Sequence, residues 1–232
     1  MAAKVDACSI AAGDTIVLDF KESEGASGRA IENEHFGPIT AYMAPAASQG
    51  DGAVWFKVFE QGFDASTDMW AINILNENDG LVEVTIPADI KAGDYILRGE
   101  VLALHQADKG IYELYPNCVL LTVTGGGSAE PEGVDLEVIY NDPDTYPGLL
   151  WNPFNGKNAG YLIPGPAVYE AGAVEPANIK ANIQPSSSSA STTEEKENDG
   201  PTENNSNTKS NTSKAPCING KRRVERRRRR RR

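Results

Sequence analysis

Four side chains in this sequence have the types and spacing to act as one chemical group: His35, His105, Glu113 and Tyr115. The chain has only two histidines among 232 residues. One stands in HFGPITAY, directly before a Gly-Pro turn that feeds a β-like run, where any polar residue would serve the turn. The other follows an apolar strand end in LALHQADKGIYELYPNC. In an extended segment residues two apart point to the same face, so Glu113 and Tyr115 project together. If the fold brings His35 alongside, two imidazoles, a phenol and a carboxylate meet. Nitrogen and oxygen donors in a flat arrangement suit Cu(II). On residue types alone the alternative is two ordinary histidines hydrogen-bonded at loop ends.

The elements that must position them read as strands. Segments 15–20 (TIVLDF), 39–43 (ITAYM), 53–59 (AVWFKVF), 81–86 (LVEVTI), 95–104 (YILRGEVLAL) and 119–124 (VLLTVT) are rich in β-branched and aromatic residues. Gly, Pro, Asn and Asp clusters separate them. No window sustains helical periodicity over three turns. Short strands with long polar connections indicate an antiparallel β-sandwich. Trp55, Phe56 and Phe59 are expected in its core, and Arg98 with Glu100 forms a solvated or half-buried pair. Segment 130–172, rich in Pro, Gly and aromatics, is expected to pack over the sandwich as an ordered loop pinned by Leu149, Leu150, Trp151 and Phe154.

Charge divides the chain unevenly. Residues 1–184 hold 9 basic and 27 acidic side chains, a balance of −18, whereas 185–232 carry +7. So acidic a body repels phosphate backbones and excludes nucleic acid as its partner. No apolar run approaches the roughly 18–20 residues that span a bilayer, and no signal peptide is visible. Residues 1–172 read as one β domain. The remainder, 173–232, reads as a disordered Ser/Thr/Asn-rich linker ending in the arginine run 226–232. Three cysteines, Cys8, Cys118 and Cys217, make no full disulfide framework; pairing and free thiols both remain open.

Five blocks, in order, resemble the fungal AA9 lytic polysaccharide monooxygenases, formerly glycoside hydrolase family 61. They are HFGPITAYMAP, GAVWFKVFEQG, IPADIKAGDYILRGEVLALHQA, ELYPNCVLLTVTGGG and YPGLLWNPFNGKNAGYLIPGPAVY. The resemblance implies an immunoglobulin/fibronectin-III-like sandwich and a set of roles. His35 matches the internal histidine that ligates one copper ion, and Tyr115 the axial tyrosine. His105 matches a histidine that orients the oxygen species, and Tyr161 a flat surface tyrosine that stacks on cellulose. Cys118 matches a disulfide cysteine, with Cys8 its implied partner.

The sequence departs from the family pattern at two places. Glu113 stands where the family usually has glutamine; an ionised carboxylate can only accept hydrogen bonds, which alters the hydrogen bonding around the metal or makes the residue a proton relay. The family's first copper ligand is an N-terminal histidine, which MAAKVDAC does not supply, so the domain reads as N-terminally truncated, without its first strand. The resemblance implies a secreted, monomeric enzyme that oxidises C1 or C4 of cellulose or a related β-glucan. It would use copper, an external electron donor and dioxygen or hydrogen peroxide. A polysaccharide-binding β-sandwich without chemistry is the competing reading.

Overall fold

A computed structural model of the chain describes residues 7–22 and 30–172. Its strands are β1 (Cys8–Ala11), β2 (Thr15–Asp19), β3 (Ile39–Pro45), β4 (Phe56–Gln61), β5 (Phe63–Asp64), β6 (Met69–Trp70), β7 (Leu81–Thr85), β8 (Gly93–Ala103) and β9 (Glu113–Thr124). Two short helices interrupt them, α1 (Ala71–Glu77) and α2 (Leu136–Ile139). One sheet has the order β1-β9-β8-β3-β4, and β2 pairs with β7 in a second. The architecture is the expected β-sandwich.

Sequence period explains the layers. In β3, Ile39, Ala41 and Met43 alternate with Thr40, Tyr42 and Ala44, and a strand turns successive side chains to opposite faces. The first set packs with Leu18, Val82, Val84, Leu97, Leu121 and other residues in the core facing β2 and β7. On the opposite face Tyr42 and Ala44 pack with Leu102, Leu104, Leu136, Ile139 and Leu149. The five-stranded sheet is thus covered on both sides, which is why β3 is apolar almost throughout. By contrast β2 and β7 alternate buried and exposed residues and turn one face to solvent.

The covering segment 130–172 contains α2 and several single turns rather than one plain loop. Leu149 pins it as expected and is fully buried, whereas Phe154 is 62% exposed and Leu150 lies at the surface. Buried Lys57 adds a polar fastening: its Nζ donates to Glu60 Oε2 at 2.7 Å and to the Pro164 carbonyl at 3.0 Å.

Two short elements escape the sequence reading, and one charged pair is more buried than expected. Cys8–Ala11 is a strand, and it pairs with β9 in parallel; four residues are too few to show a period. Helix α1 is equally silent in the sequence, because two turns carry little periodicity, yet Ala71, Ile72 and Leu75 bury one face of it. Arg98 and Glu100, expected as a solvated or half-buried pair, lie deeper than either, with side chains 20% and 0% exposed. Glu100 is fully buried and accepts from Thr40 Oγ1 at 3.1 Å and from the Tyr140 hydroxyl. It also faces two nitrogens of Arg98, Nε at 2.8 Å and Nη2 at 2.7 Å. Four donor atoms around one carboxylate offset the cost of burying its charge.

Candidate metal centre

His35 closes a single helical turn, Asn33–His35, anchored by its amide to the Glu32 carbonyl. From there the chain runs antiparallel to the end of β8: Leu104 N donates to Phe36 O at 2.7 Å and Leu102 N to Pro38 O at 3.1 Å. Gly37 permits this approach, since a Cβ there would overlap the Leu102 carbonyl oxygen. His105, one residue beyond Leu104, is thereby carried next to His35. Across the sheet Ala103 pairs with Glu113 and Val101 with Tyr115, so β9 delivers both side chains to the same end of the sandwich.

The four predicted residues meet. The His35 and His105 rings are 4.3 Å apart between centroids, and His35 and Tyr115 are 6.0 Å apart, edge to face. His35 Nε2 lies 4.0 Å from Glu113 Oε2, and the Tyr115 hydroxyl donates to that same carboxylate. One donor atom each from His35, His105 and Glu113 falls within 4.8 Å of the others. Gln106 Nε2 stands 3.1 Å from His105 Nε2 and fixes that ring. The Nδ1 atoms of both histidines are buried without a hydrogen-bond partner among the described residues. Burial, and then the adjacent His105, hold the His35 pKa below its usual value against the pull of Glu113. A neutral imidazole is the form that ligates metals.

The remaining predicted residues sit elsewhere. Tyr161 is not a flat surface ring. It packs edge-on between Trp70 at 4.9 Å and Trp151 at 5.8 Å, with its hydroxyl buried and unpartnered among the described residues. Cys118 is a free, exposed thiol, so the Cys8–Cys118 disulfide does not form. Cys8 is aligned with Leu121, three positions along β9 from Cys118. That is about 10 Å of strand, too far for a disulfide's roughly 4.4–6.8 Å Cα separation. Cys217, the linker and the arginine run lie outside the described residues.

Sequence reading places Phe154 among the pinning residues and misses its position at the site: its exposed ring meets Phe36 edge-on at 5.5 Å, one residue from His35. It also misses Gln106, for which adjacency to His105 is the available signal.

Fold and site together define a β-sandwich protein with a cluster of two histidines and a glutamate that could hold a metal ion at one end of its larger sheet. The sequence matches the profile of Auxiliary Activity family 9 (formerly GH61) over residues 1–161. It is 40% identical over 184 residues to AA9 family lytic polysaccharide monooxygenase B of Thermothelomyces thermophilus, covering 73% of this chain and 56% of that protein. With AA9 family lytic polysaccharide monooxygenase E of Malbranchea cinnamomea it shares 35% identity over 195 residues, 78% of this chain and 74% of that one. Among solved structures it resembles CvAA9A, with TM-score 0.64, 33% identity and coverage of 71% and 76%. Cel61B from Hypocrea jecorina gives 0.60, 29%, and 71% of each chain. The chain belongs to Auxiliary Activity family 9, and it spans little more than half the length of the Thermothelomyces relative.

Proposed function

We propose that this domain takes part in copper-dependent oxidative cleavage of cellulose or a related β-glucan, at C1 or C4 of the glycosidic linkage. The observation that carries the reading is the meeting of His35, His105, Glu113 and Tyr115 at one end of the sandwich. The residues present fit copper: the His35 imidazole, whose Nδ1 is buried without a hydrogen-bond partner among the described residues, and the Tyr115 phenol are nitrogen and oxygen donors suited to Cu(II). His35 and Tyr115 would hold the ion, with His105 and Glu113 beside them. When bound, copper supplies one-electron chemistry with dioxygen or hydrogen peroxide, fed by an external electron donor.

The chain's own residues do the rest. Glu113 holds the Tyr115 proton in a hydrogen bond and is the carboxylate that can move a proton at this site. Gln106 sets the His105 ring. Phe36 and Phe154 form an apolar flank beside His35. The open face of Phe154 suits a sugar ring, which stacks on aromatic surfaces through its C–H groups. In this reading the sandwich domain extends over residues 1–172, with 173–232 as a separate linker and tail, and the protein works as a secreted monomer. Among the described residues no helix is long and apolar enough to cross a membrane.

Incubating the copper-loaded full chain with cellulose, a reductant and hydrogen peroxide tests this. Oligosaccharides with an oxidised end, detected by mass spectrometry, are expected. Their absence with copper bound would refute the reading. The exposure of Phe154 also supports a second reading, polysaccharide binding without chemistry, which predicts cellulose pull-down unaffected by a chelator and no oxidised products.

A further inference from the structure

We infer that Asn76, on helix α1, is a positioning residue for His35: its side-chain amide clamps the chain segment that carries that imidazole to the site. This rests on the reading of His35 as a ligand of the proposed centre. It goes beyond that reading, because Asn76 is no member of the cluster and acts through the backbone that precedes His35.

The clamp uses the whole amide. A carboxamide offers two N–H donors and an oxygen with two lone pairs. Asn76 Oδ1 accepts from Ala30 N at 2.7 Å and from Ile31 N at 3.3 Å. Its Nδ2 donates to Ile31 O at 2.8 Å and to Asn33 Oδ1 at 2.6 Å. For Ile31 the amide does what a neighbouring strand would do, taking its N–H and supplying its carbonyl. One turn earlier on the helix, Asn73 Nδ2 donates to Asn33 O at 3.3 Å. The helix itself is fixed: Ala71, Ile72 and Leu75 are buried in the core, and Ala71 N donates to Gly62 O at 2.8 Å. On the far side of His35 the carbonyls of Phe36 and Pro38 hold the chain to the end of β8. His35 therefore stands in a short span fastened at both ends, to α1 on one side and to β8 on the other. Residues that orient a ligand tune a metal site without touching the ion. Aspartate at position 76 would accept from the two amides but could not donate, and leucine, of similar size, could do neither.

The chain's two histidines make the test direct. The intact full-length chain, labelled with 13C,15N-histidine and free of copper, should show a nuclear Overhauser effect between the two imidazoles, whose centroids lie 4.3 Å apart. In Asn76→Ala that effect should fall several-fold. With one equivalent of Cu(II) added, the variant's electron paramagnetic resonance spectrum should differ from the parent's. Its Cu(II) Kd should rise about 10-fold, the low end of the range for residues that orient ligands. Val82→Ala, a core substitution on β7, is the control: it should lower Tm yet leave the Overhauser effect and the copper spectrum as in the parent. Circular dichroism melts establish that each variant is folded. Should Asn76→Ala fail to fold, Asn33→Ala decides, since it removes one bond of the clamp from an exposed residue and should weaken the same Overhauser effect. An unchanged effect in the deciding variant, an equal loss in Val82→Ala, or no effect in the parent would overturn the inference. If the parent binds no Cu(II), the copper reading fails and the Overhauser effect alone decides the clamp.

Discussion

Nε2 of His35 stands 4.0 Å from Oε2 of Glu113, although the two residues are far apart in the chain and belong to different elements. The turn before β3 supplies one and the first residue of β9 the other. Their meeting depends on β8, which is hydrogen-bonded to both neighbours and sets the register of each.

Protonation of His35 should destabilise the metal-free fold. Its folded pKa lies below the ordinary value of 6.5, through burial and the proximity of His105, with Glu113 and Glu32 opposing. Below about 6.5 the unfolded state binds more protons, so unfolding free energy falls as pH falls through that value. Urea titrations of the chelated protein between about pH 7.5 and 5.5 should show this decline. In His35→Gln the decline should be shallower, and an identical slope in the variant would contradict the assignment.

Removing the Glu100 carboxylate should be severe. It is fully buried and faces Arg98, which is itself largely buried. Glu100→Ala leaves that guanidinium without its partner, and breaking such a buried pair costs about 3–5 kcal/mol. Denaturant midpoints would measure it. A change below about 1 kcal/mol would mean the network contributes little.

Gly37→Ala should disturb the site through the backbone. An added Cβ would overlap the Leu102 carbonyl oxygen, so the turn carrying His35 must move away from β8. A loss of about 3 kcal/mol in stability, at the upper end for single substitutions, is expected together with weakened Cu(II) binding. Calorimetry on a folded sample separates the two effects, and unchanged copper affinity would contradict this placement of His35.

Two aromatic residues should behave in opposite ways. Phe154→Ala removes an exposed ring, so stability should stay within about 0.5 kcal/mol while cellulose pull-down drops several-fold. Tyr161→Phe removes a buried, unpartnered hydroxyl; stability should hold or rise by up to about 1 kcal/mol, and cellulose binding should be unchanged. Loss of cellulose binding in Tyr161→Phe would restore the surface role that the packing against Trp70 and Trp151 denies it.

Much of the fold is legible in the sequence, for a physical reason. Strands with one core face and one solvent face, such as 15–20 and 81–86, advertise themselves by a period of two, and the apolar run at 39–43 marks the central strand. Glu113 and Tyr115 are readable as neighbours because they are two apart in extended chain. Helix α1 and strand β1 are not readable, since elements of seven and four residues hold too few positions to establish a period. Tyr161 is misplaced because motif identity says which residue matches, while exposure depends on Trp70, from a distant part of the chain, closing over it. The burial of Glu100 is hidden likewise: a charged residue in a strand looks solvated until its donors are seen to come from Thr40, Arg98 and Tyr140.

The most direct measurement is calorimetric titration of the full chain with Cu(II), run on the parent and on His35→Gln. One ion per chain is predicted for the parent, and a loss of binding of at least about a hundredfold in the variant. Equal affinity in the two proteins, or no saturable binding by the parent, would contradict a metal centre at the end of β8 and β9.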